Sequence, residues 1–590
     1  MNKENKSKLN FEPVIKEVEY DSRKLTVLKQ SLHKSKDKNH KYLFEYPTVY
    51  IINSTDKKSK NYDVYIGETN NIERRTVEHL TNDTRDETDQ RWNRLSKSNS
   101  SKMLVIGDPI FNKSLTLDIE NKLMLYMSAI EHVNQVFNRR TNEQSAYYTS
   151  EFLDNVFSEI WLKLNEINKT LFPIEQVVRD SAMFKASPFH KLDKDQTNLK
   201  NSVYLKLIEI FSRDEDNQLI VISGDAGTGK TVLLSSLFYD LSMDAKDPES
   251  VIFGNKNNYL LVNHDEQVKV YDEIMTKLGL HSKNHPVVMK PTSFINNKDI
   301  EKADVVLIDE AHLLWTQGKQ SYQGKDQLAD IRKKARVVIM VYDPSQVLTA
   351  EQYRSVEEVH NIIQDAGNNM FHLLNQKRIH ANKTTVAWIR NLIDNHEIGK
   401  LMYDEEYDLQ IMDTPEELER LIRKKASDEK KGLSRIIATF DWEYKNAKAP
   451  EDKTKPYWYV EIGDWKMPWN LQLPAVKKNK KYAWAEIPES INEVGSTFTI
   501  QGADLNYAGV IIGPSVKYRN GRIITDKTAS KSKKATNRRT LKNGEKKDFA
   551  EKFLNNELNV LLTRGVNGMY IYAVDDELRA ALKKNVESKK

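Results

Sequence analysis

The octapeptide Gly224-Asp225-Ala226-Gly227-Thr228-Gly229-Lys230-Thr231 follows the apolar run Leu219-Ile220-Val221-Ile222 and leads into the helical start Val232-Leu233-Leu234. Glycines at 224, 227 and 229 let backbone N–H groups close around a phosphate, and the helix N-terminus adds its positive end, so this segment is a P-loop. Lys230 is placed to contact the β and γ phosphates and Thr231 to ligate magnesium (Mg2+). Further on, the run Val305-Val306-Leu307-Ile308 ends in Asp309-Glu310-Ala311-His312. Asp309 is placed to hold the metal and Glu310 to activate an attacking water. Together the two segments make ATP hydrolysis the expected chemistry, with ATP and magnesium as cofactors.

Elements must carry these residues. Thr48-Val49-Tyr50-Ile51-Ile52, a polar turn from Asn53 to Asn61 lengthened by Lys57 to Lys60, and Val64-Tyr65-Ile66-Gly67 read as a hairpin. Asn70 to Leu80 has helical spacing, Met103 to Gly107 reads as a strand, and Leu117 to Phe137 as a long helix. These form a compact α/β domain over 42–150. Residues 1–41 read as a peripheral, partly ordered arm, and 151–190 as a helical connector punctuated by Pro173 and Pro188. Beyond it, short β-branched runs alternate with amphipathic helices, the grammar of parallel sheet, and divide into lobes over 191–360 and 361–590. The stretch 516–548 is crowded with Lys and Arg and has few apolar residues; it reads as a mobile inserted loop beside a nucleic-acid path. Trp315 and Tyr322 are candidates for stacking on bases, with packing as the alternative.

At 590 residues the chain is too long for one core, and about three or four domains are expected. Hydrophobic residues at 39% and charged residues at 30% fit water-exposed domains, and no apolar run is long enough to span a bilayer. The charged N-terminus lacks the apolar core of a secretory signal, so the expected location is cytoplasmic. Zero cysteines exclude disulfides, thiolate catalysis and cysteine-held zinc; any metal must take oxygen or histidine ligands, which favours magnesium or manganese. A net charge of +5 permits nucleic-acid binding without arguing for it.

The later segments resemble superfamily-one helicases, most closely the bacterial Schlafen-type helicase-like family, over roughly 190–580. The resemblance implies two RecA-like lobes and a set of roles. Gln196 matches the glutamine that reads adenine. Asp343 and Gln346, in Val341-Tyr342-Asp343-Pro344-Ser345-Gln346, match the motif that senses the γ-phosphate. Arg378, in Leu374-Asn375-Gln376-Lys377-Arg378, matches the second-lobe motif that brings an arginine to the phosphates, and Arg564, in Val560-Leu561-Leu562-Thr563-Arg564, matches the arginine finger. Gln501 and Gly502, in Thr497-Phe498-Thr499-Ile500-Gln501-Gly502-Ala503-Asp504, match the motif that couples nucleotide state to the nucleic-acid backbone.

The front of the chain resembles GIY-YIG endonucleases over about 42–145. Tyr50 and Tyr65 stand on the hairpin, Arg75 and His79 on the following helix, Glu120 on the long helix and Asn138 after it. In that family's chemistry Glu120 binds one divalent metal, Mg2+ or Mn2+, at the scissile phosphate, and Arg75 neutralises developing charge. A deprotonated tyrosine or a metal-bound water supplies or activates the nucleophile, with Tyr50 and Tyr65 as the candidates and Tyr50 marginally preferred as base; His79 orients or relays protons, and Asn138 tethers the site. The combined expectation is an ATP-dependent nucleic-acid motor coupled to a metal-dependent endonuclease, acting on DNA in preference to RNA, which neither half excludes, with antiphage defence as its setting. The alternative is an ATP-gated sensor or scaffold with a non-cutting nucleic-acid-binding module. Protein partners and a homo-oligomer stay open; a membrane partner is not expected.

Overall fold

Apolar runs such as Val337-Val338-Ile339-Met340-Val341 have no polar face, so their strands must be covered on both sides, and the computed structural model contains two fully parallel sheets that do this after one mixed sheet. It describes residues 12–35, 40–55, 60–81, 95, 101–137, 147–224, 226–319, 321–374, 376–428, 432–446, 448–474, 482–540 and 544–587. Contacts divide the chain into two units, Met1–Lys191 with Tyr271–Pro286, and Leu192–Val270 with Val287–Lys590.

The first unit holds β1 (Val14–Glu19), β2 (Thr48–Thr55), β3 (Tyr62–Thr69), β4 (Lys102–Gly107) and β5 (Val133–Val136) in the order β1-β4-β2-β3-β5. β2 and β3 are the expected hairpin, with Tyr50 opposite Gly67 and Ile52 opposite Tyr65. Because side chains alternate along a strand, Tyr50, Ile52, Met103 and Val105 share a core with Leu25, Leu43 and Ile72 from flanking helices. Two expectations are corrected here. The first forty residues are more than an arm: β1 pairs antiparallel with β4, and the helix Ser22–Lys34 buries Leu25 and Leu32. The helix expected over Leu117–Phe137 spans Lys113–Ser128 instead, capped by Ala129, and β-branched Val133 and Val136 form β5 parallel to β3. Lys277 is buried in this unit, where its Nζ donates to the Ile130 carbonyl at 2.7 Å just past that helix end.

The second unit contains both lobes. The first lobe is a six-stranded parallel sheet of β6 (Gln218–Gly224), β7 (Asn258–Val262), β8 (Val288–Met289), β9 (Ala303–Asp309), β10 (Ala335–Tyr342) and β11 (Met370–Leu373), ordered β11-β6-β10-β9-β7-β8, so it runs past the boundary expected at 360, because β11 pairs with β6. The second lobe's sheet, ordered β12-β22-β17-β13-β16, takes β12 (Asp408–Ile411), β13 (Ser434–Ala438), β16 (Gly495–Ser496), β17 (Leu505–Ile512) and β22 (Gly565–Ala573), all parallel. Between β13 and β16 lies an aromatic insertion carrying the ribbon β14 (Tyr459–Ile462) with β15 (Trp465–Pro468).

The basic stretch is also corrected from a mobile loop to a folded one. β18 (Val516–Arg519) and β19 (Arg522–Thr525) form a ribbon whose Val516 and Ile523 enter the lobe core, and β20 (Arg539–Thr540) pairs with β21 (Lys546–Lys547). Few apolar residues suffice because they insert into an existing core, and Arg539 is buried donating to the carbonyls of Ala350 and Tyr353.

Trp469 anchors the aromatic insertion: it is wholly buried, its ring centroid lies 4.8 Å from Phe440, and its Nε1 donates to the Glu443 carbonyl at 3.2 Å. Trp469→Ala should cost the second unit about 3–5 kcal/mol in denaturant unfolding. A loss under about 1 kcal/mol would mean that the insertion folds without this anchor.

Candidate functional site

In the first unit, strand pairing brings Tyr50 and Tyr65 onto one face with ring centroids 6.0 Å apart, and His79 from the helix Ile72–Thr81 closes the group. Tyr50 Oη and His79 Nε2 share a hydrogen bond at 2.9 Å. Burial pushes both phenols up; the Arg75 guanidinium beside them acts in the opposite sense, and Glu120 adds to the rise at Tyr65. The phenols in turn hold Arg75 charged against the cost of its burial. The structure thus gathers Tyr50, Tyr65, Arg75, His79 and Glu120 in one place, while Asn138 lies outside the described residues. Gly67, quoted in the hairpin without a role, is also a member of the site: a Cβ there would stand 2.4 Å from Tyr50 Oη, so the ring occupies the space a side chain would need. The signal was the Tyr-Ile-Gly run set opposite Tyr50.

In the second unit, Gly227 and Gly229 adopt φ of +85° and +81°, the left-handed region that the P-loop turn requires. Gln196 sits against this turn. Its N–H donates towards the carbonyls of Thr228 and Gly229 at 3.4 Å each, and its side-chain oxygen accepts from the Asp193 N–H at 3.1 Å, completing a capping box on the helix Lys194–Ser212. Lys230 Nζ donates to the Gly224 carbonyl at 2.5 Å and pairs with Asp343 at 3.5 Å. Burial works against ionised Asp343, but Lys230, His312 and hydrogen bonds from Ser345 and Gln346 outweigh it and hold the carboxyl below the usual range. Thr231 opens the helix Lys230–Lys246, and Asp309 ends β9 with its carboxylate accepting from the Glu310 N–H at 3.0 Å. Glu310 itself is held at φ +50°, a strained conformation for a residue with a side chain.

The second lobe reaches the same cleft. Arg378 pairs with Asp504 at 2.5 Å, and the Lys377 N–H donates to the Gly227 carbonyl at 2.8 Å. Arg564 is buried, donating to Gln346 Oε1 at 3.2 Å and to the carbonyls of Val560 and Ala503. Burial, and then the neighbouring Arg378, bring its pKa down to about 9. Gln501 Nε2 donates to the Gln346 carbonyl at 3.2 Å and lies 3.3 Å from His312 Nε2, and Gly502, at φ +83°, leaves room for Gln267. His312 and Asp504 were quoted within motifs without roles; their partners come from other motifs, so spacing alone could not assign them.

Beside this cleft runs a groove of about 1870 Å³, lined by Trp442, Tyr444, Trp458 and Phe498 and by Lys531, Lys533 and Lys534. Several of its carboxylates are paired with lysines: Glu443 with Lys531, Glu451 with Lys445 and Glu461 with Lys455. Lys533 and Lys534 have no ion-pair partner among the described residues, and Lys534 Nζ lies 5.6 Å from the Phe498 ring centroid. Under the groove Glu557 is buried, accepting from the Phe440 N–H at 2.9 Å and from the Thr497 hydroxyl at 3.1 Å. The earlier stacking candidates lie elsewhere: Tyr322 is buried with its hydroxyl donating to Asp330 at 2.6 Å, which leaves it a packing residue, and Trp315 is covered by Lys319. Among the described residues no three His, Asp or Glu side chains cluster as a metal cage, and no helix is long and apolar enough to cross a membrane.

Comparison with known proteins gives two family matches. The model for the Schlafen group 3 DNA/RNA helicase domain matches residues 217–575, and that for the GIY-YIG catalytic domain matches 46–124. The chain is 34% identical over 446 residues to an uncharacterized protein of Saccharomyces cerevisiae, YPL245W, a match spanning 69% of this chain and 93% of that one. Among solved structures, Pif1 helicase from Candida albicans aligns at 11% identity with a TM-score of 0.28 over 68% of this chain and 98% of its own. Dbp5 of S. cerevisiae, bound to RNA and ADP BeF3, aligns at 12% identity with a TM-score of 0.30 over 70% and 90%. Those TM-scores are too low to bear on the fold.

The buried acid beneath the groove has a measurable consequence. Burial, and then Asp441, raise the Glu557 carboxyl from 4.5 to about 8. A carboxyl raised on folding gives its full stabilisation below its unfolded pKa and loses it as pH climbs through the folded one. Between about pH 5 and about pH 8, Glu557→Gln should therefore lose less stability than wild type in denaturant titrations. Superimposable pH profiles would contradict the raised pKa.

Proposed function

Because the chain belongs to the Schlafen group 3 DNA/RNA helicase family and carries a GIY-YIG catalytic domain, we propose that it is an ATP-hydrolysing nucleic-acid motor coupled to a phosphodiester endonuclease. In this reading it works in the cytoplasm on DNA in preference to RNA, in antiphage defence. The observation that carries the motor assignment is the meeting, in one cleft, of Lys230, Glu310 and Asp343 from the first lobe with Arg378 and Arg564 from the second.

The cleft suits a nucleotide triphosphate. Arg378 Nη1 is buried without a hydrogen bond, and Glu310 Oε2 makes none either, with His312 Nε2 3.4 Å away, the condition of groups built to meet phosphate oxygens and a water. Lys230 takes the β and γ phosphates, and Thr231 and Asp309 would hold magnesium, whose chemical contribution is to neutralise phosphate charge. Glu310 accepts the proton of the attacking water, Arg378 and Arg564 stabilise charge on the transferred group, and Asp343 and Gln346 sense it. Gln196 reads adenine only by releasing the P-loop carbonyls it now touches. Gln501 and Gly502 tie this chemistry to the groove, whose aromatic faces and unpaired lysines suit stacked bases and their phosphates.

In the first unit Glu120 would hold a divalent metal, magnesium or manganese, which supplies Lewis-acid activation of the scissile phosphate. A single carboxylate among phenols suits such an oxygen-preferring ion that keeps its own waters. Since burial keeps the Tyr50 phenol protonated, its work as a base needs an acceptor, and His79 Nε2 at 2.9 Å is placed to take that proton. Arg75 stabilises the charge that develops on phosphorus-bound oxygens.

Purified protein incubated with single-stranded, duplex and forked DNA and RNA, with either metal and with or without ATP, tests the whole reading. Lys230→Ala should abolish ATP hydrolysis with the fold intact by circular dichroism, and Arg564→Ala should slow turnover by about a thousandfold while ATP still binds. Wild-type turnover in either variant removes that residue from the mechanism. Glu120→Ala should eliminate cleavage and leave ATPase activity unchanged; normal cutting by this variant would end the nuclease assignment.

A further inference from the structure

The helix Ala550–Leu562 carries side chains that the proposed chemistry leaves unused, and three of them are polar and buried: Asn556, Glu557 and Asn559. A buried carboxyl with no cation beside it among the described residues is costly unless hydrogen bonds satisfy it. Glu557 turns towards the groove, where it accepts from the Phe440 N–H and the Thr497 hydroxyl, and Phe440 and Phe498 both line that groove. Asn556 faces the first lobe: its Nδ2 donates to the carbonyls of Val347 at 2.7 Å and Pro344 at 3.3 Å. Asn559 donates to the Ser345 carbonyl at 3.1 Å and is itself fixed by Arg390 at 2.7 Å. These bonds fasten the loop that bears Gln346, and Gln346 in turn contacts both Asp343 and Arg564, the last lying just past the helix end.

One rigid element is therefore bonded at one side to the groove floor and at the other to the nucleotide-sensing loop, and it ends at the arginine. We propose that Glu557 and Asn556 are positioning residues through which a single strand in the groove sets the placement of Gln346 and Arg564 at the ATP phosphates. The inference rests on the motor reading above. A strand stacked on Phe498 and held by Lys533 and Lys534 fixes Phe440 and Thr497; Glu557 passes that constraint to the helix, and Asn556 and Asn559 pass it to the loop from Pro344 to Val347. Neither Glu557 nor Asn556 touches nucleotide or nucleic acid. Their loss should thus uncouple the two sites without emptying either.

The test measures ATP turnover by the full-length protein, alone and with saturating oligo(dT) or oligo(U), together with oligonucleotide affinity by fluorescence anisotropy and thermal melting. Glu557→Met removes the acceptor at similar volume. It should keep turnover without oligonucleotide and oligonucleotide affinity within about twofold of wild type, and lose stimulation at least fivefold. Glu557→Gln keeps the acceptor oxygen and should restore stimulation. Asn556→Ser cuts the path at its other end and should show the same loss of stimulation, which keeps the inference testable if Glu557→Met fails to fold. Full stimulation in Glu557→Met or in Asn556→Ser overturns the inference while the motor reading stands. Equal losses of unstimulated turnover and of melting temperature in both Glu557 variants also overturn it, as the mark of a purely structural residue. If neither oligonucleotide stimulates the wild type, the motor reading fails and takes this inference with it.

Discussion

A guanidinium buried among carbonyl and amide oxygens is the constraint around which the second unit is arranged. Arg564 has no directly bonded carboxylate among the described residues; it donates to Val560, Ala503 and Gln346, and its pKa falls to about 9. An isolated cation in such a place would cost several kcal/mol, and the structure offsets this with the longer-range fields of Asp504, Glu310 and Asp343. Two of those carboxylates come from the first lobe. The charge balance of the second lobe is therefore incomplete without the first, and a phosphate between Arg378 and Arg564 would relieve their mutual repulsion.

The same economy appears in the stretch Thr497–Asp504, which does work on three sides within a few residues. Thr497 donates to Glu557 under the groove, Gln501 donates to the Gln346 carbonyl on the sensing loop, and Asp504 pairs with Arg378. Gly502 has no side chain because Gln267 of the first lobe fills the space. Groove and cleft thus share walls, and this segment joins the lobes alongside the helix Ala550–Leu562.

Contiguous chemistry is what the sequence made readable. A P-loop needs its glycines and lysine in one run, and a buried parallel strand announces itself by β-branched residues without polar relief, so β6 and β9 were foreseen from their own residues, Leu219–Ile222 and Val305–Ile308. The segment Val14–Glu19 was not, because Lys16, Glu17 and Glu19 mask its alternation; it becomes a strand only through β4, far along the chain. The turn after Ser128 was hidden because Leu, Met and Ile continue the helical spacing across it. The 516–548 stretch misled through composition, which counts lysines but cannot see that Val516 and Ile523 plug a core built elsewhere. At the sites, Gly67, His312 and Asp504 stood in quoted motifs without roles, and Glu557 and the aromatic wall went unread, for one reason: each acquires its meaning from a partner in another segment, and a single sequence carries no record of that pairing.

The seat of the Tyr50 ring on Gly67 bears on how this hairpin can vary. In most two-stranded turns the connection fixes the register, so an inserted residue slips one strand past the other and turns every side chain over. Here an aromatic ring lying over a glycine pins the alignment from within the strands, with the hydroxyl held by His79 as a second peg. The connection between Thr55 and Lys60 is thereby released from that duty and free to drift in length and charge, since lengthening a loop adds little closure entropy once its ends are fixed. Related chains should show indels in this turn alongside strict co-retention of an aromatic at 50 and glycine at 67.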